Sequence, residues 1–488
     1  MNFTDPAGVR RYKPKSEKYY RTTLLDRTYG QISERVKSLL GHADWVSFTT
    51  DVWSNPTKTC SLLSFTAHFV HDSVLRKVIL SVSVLDEDHT GAYLASKLTE
   101  ASAQWNLESK IHLGVRDNAA NMVSAMRIAG MRDVGCTAHT LQLVIHDALF
   151  TQTSVESLVK KSRKIVTHFK HSEQACRKLV DCQNSCGIPQ HKLLQDVETR
   201  WNSTYMMLSR LSEQRKAVNQ YCIEHGAIDT LPVTEWELVE RIVMLLKPFY
   251  DATLDISSDQ ACVSVVIPLV AMLRGKMQTT PQDSGLLQMK AALRDAIDRR
   301  FAFASNAPAM LAATLLDPRF KDAYFSEREK VVAEAEIVNF LQSVRTEDAA
   351  AASEPQSSQS SSSSAPSTTT GPARMSSSLW DDHDNMNTAA VSNDDDQQQS
   401  TLQLRSYLSQ PRVPRSTNIY QYWNCSQFPL VEVAARKYLS APPTSVASEQ
   451  LFSSAGQLYA DRRSNLKGEN AEKLLFLAYN IRLFGFAY

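Results

Sequence analysis

The sequence has no long hydrophobic run and almost no net charge, and both absences narrow the possible functions. Its longest apolar stretch, VVIPLVAML, contains Pro268 and is far shorter than the ~20 apolar residues of a membrane-spanning helix. The first residues, MNFTDPAGVRRYKPK, lack the apolar region of a signal peptide. The net charge is +1, from 53 basic and 52 acidic residues, so any nucleic-acid contact needs local basic patches. We expect a soluble intracellular protein without a membrane partner.

Paired cysteine motifs are also missing. The eight cysteines are scattered without C-x-x-C spacings, which favours reduced thiols over a disulfide framework. One group of cysteines has histidines nearby in the sequence, and its members are Cys176, Cys182, Cys186, His168, His171 and His191. Its spacing fits none of the usual zinc templates, and Cys136 with His139 is only half of such a site. We therefore expect no structural zinc.

Residues 45–150 alternate between strand and helix patterns. Apolar and polar residues alternate in 45–51, 63–69, 78–84 and 111–116, as in half-buried strands. Residues 90–105 have helical spacing, with Thr90 as a possible N-cap, and a helix, a short strand (133–139) and a helix (140–150) follow residue 116. The order βββαβαβα predicts an α/β fold with a ribonuclease H-like core, whose sheet is antiparallel first and then parallel.

Three carboxylates are placed where such a core could bring them together. Asp51 and Asp117 each end a predicted strand, and Glu449 lies on a late helix that follows Pro442 and Pro443. Carboxylate oxygens are the ligands that Mg²⁺ prefers, and two such ions can activate water and stabilise the leaving oxygen of a phosphodiester. The competing interpretation of Asp117 is structural, because DNAAN is also a good N-cap sequence.

The chain divides into five parts by composition. A large mainly α-helical insertion interrupts the core, a Ser- and Asp-rich stretch with few apolar residues is predicted to be disordered, and C-terminal helices close the core. The parts are a basic linker-like segment (1–44), the first part of the core (45–150), the insertion (151–345), the disordered linker (346–400) and the C-terminal part (401–488).

Six sequence blocks, in order along the chain, resemble those of hAT-superfamily transposases and of the BED-type zinc finger proteins domesticated from them. The blocks are TTDVWS at Asp51, VRDNAANM at Asp117, GCTAHTLQL at Cys136, ETRWNSTYMML at Trp201, LLDPRFK at Asp317 and YLSAPPTSVASEQLFSSAG at Glu449. The resemblance covers nearly the whole chain outside the Ser-rich stretch.

The resemblance implies specific roles for these residues. Asp51, Asp117 and Glu449 correspond to the catalytic acids, which hold Mg²⁺ or Mn²⁺. His139 corresponds to a histidine near the active site and the DNA. Arg200 and Trp201 correspond to the block whose aromatic residue stabilises a flipped base. The alternative for His139 and for Trp201 is an ordinary place in the hydrophobic core.

The resemblance also implies partners. The C-terminal helices correspond to the hAT dimerisation region, so we expect a dimer or higher homo-oligomer, with an apolar stripe from Leu474 to Ile481 as part of its interface. DNA is the expected partner, and no small-molecule substrate is. A basic stripe on one helix, made of Lys160, Lys161, Arg163, Lys164 and Lys170, is a candidate DNA contact.

Two functions remain open. The first is a domesticated nuclear regulator that self-associates and binds DNA. The second is an active DDE transposase that cleaves and joins DNA with Mg²⁺. The three acids favour the enzyme. Gln450 in place of the family's usual Arg, the missing Cys/His array before residue 45 and the long Ser-rich stretch favour the regulator, which we take as the leading hypothesis.

Overall fold

A computed structural model describes residues 14–55, 60–226, 228–278, 285–352, 393–458 and 468–486. Its centre is one mixed sheet of six strands. The strands are β1 (Val46–Thr49), β2 (Val52–Ser54), β3 (Ser61–His71), β4 (Val74–Leu85), β5 (Ile111–Arg116) and β6 (Asp133–Gly135). Three helices of the same region are α2 (Gly91–Gln104), α3 (Ala120–Ile128) and α4 (Thr137–Leu149), and α1 (Leu25–Gly41) precedes the sheet.

The strand order confirms the predicted ribonuclease H-like core. Strand β3 pairs antiparallel with β4 and with both β1 and β2, whereas β5 pairs parallel with β1 and with β6. The first predicted strand, residues 45–51, is shorter than expected because β1 ends at Thr49, and the short strand β2 that follows was not predicted. Only Thr50 and Asp51 separate them, so the strand is broken at Asp51. The N-cap prediction also holds, because the Thr90 hydroxyl accepts a hydrogen bond from the Tyr93 N–H.

The side chains of the strands alternate between two buried faces, and helices cover both faces. Phe48, Phe65 and Leu63 pack with α1, α2 and α3. Leu62 and Val82, which point to the other face, pack against the C-terminal helices, and Val115 packs with the helical insertion. Because both faces are covered, β1 and β3 are almost continuously buried. The core therefore has three layers.

The helical insertion is present and its helices form one core with each other. They are α5 (Thr153–His171), α6 (Glu173–Cys186), α7 (Trp201–Glu213), α8 (Arg215–His225), α9 (Val233–Ile256), α10 (Val266–Lys276), α11 (Leu287–Arg300), α12 (Pro308–Leu315) and α13 (Glu327–Ala352). The C-terminal helices are α14 (Asn393–Ser409), α15 (Ile419–Asn424), α16 (Pro429–Tyr438), α17 (Val446–Leu458) and α18 (Gly468–Leu483). Among the described helices, none combines the length and apolar character that a membrane crossing requires.

The prediction of a linker-like segment before residue 45 is wrong for residues 25–41. Helix α1 places Ile32, Val36 and Leu40 in the core, because these apolar residues recur at helical spacing. Lys473 of α18 also pairs with Asp26 at 2.6 Å. The segment is therefore an integral layer of the core, joined to the C-terminal helix.

Two further boundaries differ from the prediction. Helix α13 continues to Ala352 and α14 begins at Asn393, so both ends of the predicted linker are helical. Residues 353–392 lie outside the described residues.

In the terminal helix α18, Leu475 and Leu477 of the proposed interface stripe are buried within this chain, because they pack on the sheet and on α1.

Candidate functional site

Asp51 and Asp117 lie side by side at the carboxyl ends of the neighbouring strands β1 and β5. We call this end of the strands the carboxyl edge of the sheet. Strands β1 and β5 run parallel with Thr49 opposite Val115, and the Thr50 N–H donates a hydrogen bond to the Val115 carbonyl at 3.0 Å. Each aspartate comes two residues after these partners. Since neighbouring strands are about 4.8 Å apart, the two acids leave the sheet next to each other.

The break between β1 and β2 fixes the backbone of Asp51. Its N–H donates to the Ser64 hydroxyl at 3.1 Å, and its carbonyl accepts from the Ser64 N–H at 3.1 Å. Its carboxylate accepts one hydrogen bond, from the Val52 N–H at 2.8 Å. The remaining oxygen lone pairs of this half-buried carboxylate are available to another group.

Asp117 is held by its neighbours in a similar way. Its carboxylate accepts from the Ala119 N–H at 3.3 Å, just before α3, so the capping interpretation applies to part of its hydrogen bonding. The Arg116 guanidinium donates to the Asp117 carbonyl at 2.9 Å and pairs with Asp133 at 2.5 Å. Gly135 permits this arrangement, because a Cβ there would stand 2.4 Å from the Asn118 side-chain oxygen.

Glu449 reaches this edge on α17, which crosses the strand ends. Before the helix, Ser445 donates its N–H to the Cys136 sulfur at the end of β6, at 3.3 Å. Further along the helix, Phe452 stacks on Trp53 of β2 with ring centroids 6.1 Å apart. Glu449 lies between these two contacts, in the first turn, and is exposed. These two contacts place the first turn of α17, with Glu449, beside the ends of β6 and β2.

The pKa of Asp51 records the convergence of the three acids. It is raised from 3.8 to about 7, first by burial, then by the negative charge of Asp117 and, more weakly, by that of Glu449, while the hydrogen bond from the Val52 N–H opposes the rise. Like charges disfavour ionisation of a neighbour. The charge of the distant Glu449 is therefore close enough to Asp51 to contribute to this rise.

The three carboxylates are near one another but do not form a coordination site for a single ion. Among the described residues, no three His, Cys, Asp or Glu side chains stand close enough to hold a single ion. The chemistry of the donors nevertheless suits Mg²⁺ or Mn²⁺, because they are carboxylate oxygens whose mutual repulsion a cation would relieve. Ion binding would need a modest inward movement of the side chains.

His139 and Cys136 have different environments. Cys136 is fully buried behind the strand ends, and burial raises the pKa of its thiol. His139 is exposed in the first turn of α4. The alternative of a core histidine is therefore excluded in this structure, and the side chain is free to meet a ligand at the same edge.

Trp201 is a core residue in this conformation. Its side chain is 4% exposed, and its ring lies 6.4 Å from that of Tyr205, which stacks on Tyr250. Arg200 beside it is exposed. A base could stack on the indole only after α7 moved, so the proposed role of Trp201 in DNA binding stays a prediction.

The basic stripe on α5 is largely neutralised. Lys160 pairs with Glu156 on the same helix, Lys161 with Glu235, and Arg163 with both Asp196 and Glu198. Lys164 and Lys170 are exposed. The stripe thus offers a weaker attraction for phosphates than its sequence suggested. Two histidines of the nearby Cys/His group have other hydrogen-bond partners, since His168 bonds to Tyr221 and His191 to Glu213.

Sequence reasoning missed the segment that carries Glu449 to the sheet. Residues 440–445 bond to Ser47, to Thr137 and to Cys136. It also missed that Lys77 donates to the Gln450 side chain at 3.3 Å. Pro442 and Pro443 signalled an irregular segment, but its bonding partners come from distant positions that no local pattern reveals.

Three family models match the chain. They are the ZBED1 RNase-like domain over residues 49–132, the ZBED1 RNase-like helical domain over 134–245, and the hAT family C-terminal dimerisation region over 403–481. The first match covers β2 to β5, the second runs from β6 to the middle of α9, and the third covers most of the C-terminal helices with Glu449.

Among known proteins, human zinc finger BED domain-containing protein 4 is 28% identical over 100% of this chain and 42% of its own length. Zinc finger BED domain-containing protein 6 of Mus musculus is 25% identical over 98% of this chain and 52% of its own length. The putative AC transposase of Zea mays is 26% identical over 88% of this chain and 56% of its own length. The chain spans about half the length of these relatives. In its fold and its three matched regions, the chain is similar to the BED-finger proteins derived from hAT transposases.

Proposed function

We propose that this chain is a self-associating nuclear protein that binds DNA and regulates transcription, using the carboxyl edge of its sheet as the DNA contact. Divalent ions held by Asp51, Asp117 and Glu449 would link that edge to the phosphates. The observation that carries the proposal is the convergence of the three acids, with the pKa of Asp51 raised to about 7. A cluster of like charges that lowers stability is typical of a functional site.

The surroundings of Asp117 support a nucleic-acid contact. A cavity of about 520 Å³ is lined by Arg116 and Asn118, the two residues that flank this acid, and by Arg132. The guanidiniums of Arg116 and Arg132 pair with Asp133 and Glu336. They can exchange these partners for phosphate oxygens, to which an arginine can donate two parallel hydrogen bonds.

Self-association is the second part of the proposal. Its support is the matched hAT C-terminal dimerisation region, residues 403–481. Leu402 at the edge of this region and Val331 on α13 are large apolar residues that remain exposed, at 55% and 64%. Light scattering on the full chain tests this part, and a monomeric mass at all concentrations would contradict it.

A second candidate function is Mg²⁺-dependent DNA strand cleavage, which the convergence of the acids favours. In that reaction a water oxygen attacks the phosphorus, the bond from phosphorus to the 3′ oxygen breaks, and that oxygen leaves with a proton. Bound ions would activate the water and stabilise the leaving oxygen. Asp51 and Asp117, fixed at the strand ends, would orient the ions, and Glu449 would complete the set.

One experiment separates the two functions. A fluorescent DNA duplex is titrated with the full chain in Mg²⁺, Mn²⁺, Ca²⁺ or EDTA, and anisotropy and strand cleavage are both measured. The regulator predicts binding that a divalent ion strengthens and that leaves the strands intact. The enzyme predicts cleavage in Mg²⁺ or Mn²⁺ that Asp117→Ala abolishes. The matched control is Asp251→Ala, which removes an exposed carboxylate on α9.

Two outcomes would contradict the proposal. Equal DNA binding in EDTA and in divalent ions, unchanged by Asp51→Asn and Glu449→Gln, would show that the acids take no part. Absence of DNA binding under all conditions would remove DNA as the partner of this chain.

A further inference from the structure

Glu449 comes from a part of the chain far from the two aspartates, and residues 440–445 hold it in place. We call these residues the anchor segment. It lies between α16 and α17 and is buried along its whole length. Its backbone cannot rely on helix or strand hydrogen bonds, so its partners come from elsewhere in the fold.

One set of partners belongs to the sheet. The Ser440 hydroxyl hydrogen-bonds to the Ser47 hydroxyl of β1 at 2.7 Å. The Pro443 carbonyl accepts from the Thr137 N–H at 3.0 Å, and the Ser445 N–H donates to the Cys136 sulfur at 3.3 Å. The last contact is the one nearest to the acid.

A second set belongs to the helical insertion. The Ala441 carbonyl accepts from the Val263 N–H at 2.8 Å, and the Thr444 hydroxyl donates to the Ile256 carbonyl at 3.4 Å. The anchor segment is therefore fixed on both sides, by the sheet and by the end of α9.

Two successive hydrogen bonds connect Cys136 to Glu449 through Ser445. The thiol accepts from the Ser445 N–H, and the Ser445 carbonyl accepts from the Glu449 N–H at 3.3 Å, in the first turn of α17. A change in the position of Ser445 therefore carries over to Glu449 within a single helical turn. Cys136 itself cannot move, because it is completely buried between the strand ends and α4.

We propose that Cys136 is a positioning residue for the metal site, and that its sulfur, acting through Ser445, sets where Glu449 meets Asp51 and Asp117. This role rests on the proposed function of the three acids. A thiol suits the position because it fills an apolar site as a small hydrophobe and still accepts a weak hydrogen bond. Partners that orient metal ligands in this way typically affect metal affinity by about 10- to 100-fold.

Mn²⁺ binding to the full chain, measured by titration calorimetry, tests the role without requiring catalysis. Cys136→Val keeps the apolar volume and removes the acceptor, whereas Cys136→Ser keeps an acceptor. We expect Cys136→Val to weaken Mn²⁺ binding about 10-fold and Cys136→Ser to restore part of the loss. The matched control is Cys222→Val, at a buried cysteine of α8 far from the sheet, and it should bind Mn²⁺ like the wild type.

A double-mutant cycle separates positioning from general loss of structure. If Cys136 acts through Glu449, Cys136→Val should weaken binding no further once Glu449→Gln is present. Equal effects of Cys136→Val in both backgrounds would overturn the inference, as would full wild-type affinity in Cys136→Val alone.

If the metal site itself is absent, the calorimetry gives a result that differs from the loss of the positioning role. If the wild type binds no Mn²⁺, the metal site is absent, and the positioning role is then decided by crystal structures of the wild type and of Cys136→Val. We expect the Cα atom of Glu449 to shift relative to that of Asp51 in the variant but not in Cys222→Val. An unchanged position would refute the role of Cys136.

Discussion

At the carboxyl edge of the sheet, Asp51, Asp117 and Glu449 approach one another, and the described residues provide no basic partner for any of them. Around Asp317 the opposite holds. This carboxylate is completely buried, yet it accepts hydrogen bonds from the Ser264 hydroxyl at 2.6 Å and from two nitrogens of the Arg319 guanidinium at 2.9 and 2.7 Å.

Lys321 completes this second region. Its ammonium donates to the carbonyls of Tyr407 and Gln410, at 2.6 Å each, and lies 4.5 Å from the centre of the Tyr407 ring. These carbonyls belong to the C-terminal end of α14, where a cation is favoured. The LLDPRFK block, to which the sequence alone assigned no role, thus joins the helical insertion to the C-terminal part.

The two regions differ in what their charged residues contribute: paired charges stabilise the fold, whereas like charges held together indicate a functional site. Charges that are buried and fully paired fix the relative position of two parts of the chain, and removing one partner leaves the other uncompensated. Charges that are close and alike lower stability, and natural proteins retain such groups mainly at functional sites. Each prediction below tests one side of this comparison.

The largest effect is expected from Asp317→Ala. It leaves the Arg319 guanidinium buried without its carboxylate, which typically costs about 3–5 kcal/mol of unfolding free energy. Urea denaturation measures the change. The control is Asp251→Ala, which removes an exposed partner of Lys247 and should cost less than about 1 kcal/mol. Similar losses in both variants would show that the Asp317 region has no special role in stability.

The next largest effect is expected from Lys321→Met. It should lower the unfolding free energy by about 2–3 kcal/mol, because the Tyr407 and Gln410 carbonyls lose their donor while they remain shielded from water. Local protection should fall most in α14, and hydrogen exchange of its amides measures this. Lys160→Met, at an exposed pair on α5, serves as the reference. Unchanged exchange in α14 would contradict the joining role of Lys321.

Asp51→Asn should stabilise the chain, and the effect should depend on pH. The folded-state pKa of Asp51 is raised to about 7 from 3.8, so the folded state loses stability as pH rises from about 4 to about 7 and the penalty is complete above that range. The variant lacks this penalty. After screening by solvent, we expect a gain on the order of 1–2 kcal/mol at pH 8 and none at pH 4. Urea midpoints at the two pH values measure it, and a gain that is the same at both would be evidence against the raised pKa.

The smallest change in stability is expected from Mg²⁺, which should offset the loss of stability caused by the ionised Asp51 carboxylate. The ion competes with the Asp51 proton, so stabilisation should be stronger at pH 8 than at pH 6. At a concentration about fivefold above the dissociation constant, the expected gain is about 1 kcal/mol. Thermal unfolding of the wild type and of Asp51→Asn measures it, and equal Mg²⁺ effects in the two proteins would place the ion elsewhere.

Much of the core could be predicted from the sequence, because its strands alternate with a period of two and its helices show their own spacing. The prediction failed for residues 25–41, because it rested on the basic residues at positions 10–21 and not on the helical spacing of Ile32, Val36 and Leu40. It also placed both ends of the linker too far out, since α13 and α14 extend into it. Polar composition alone does not distinguish a disordered segment from a solvated helix end.

The candidate site was predicted in part. The resemblance of the blocks predicted the three acids, and the parallel pairing of β1 with β5 explains why two of them lie on neighbouring strands. The sequence could not show that Trp201 is buried and His139 exposed, because aromatic residues at helical spacing fit both a core and a ligand-binding face. Nor could it show that acids on neighbouring elements neutralise most of the basic stripe on α5.

The sequence by itself determined the local elements and the identity of the acids, because hydrophobic periodicity and short motifs act over a few residues. Only the tertiary structure decided which charges meet. The charge of Glu449 contributes to the raised pKa of Asp51, the Lys321 ammonium donates to the Tyr407 carbonyl, and the Cys136 sulfur accepts from the Ser445 N–H. The physical reason is that electrostatic and hydrogen-bond energies depend on distances through space, and packing of the helical insertion against the sheet sets those distances between residues hundreds of positions apart.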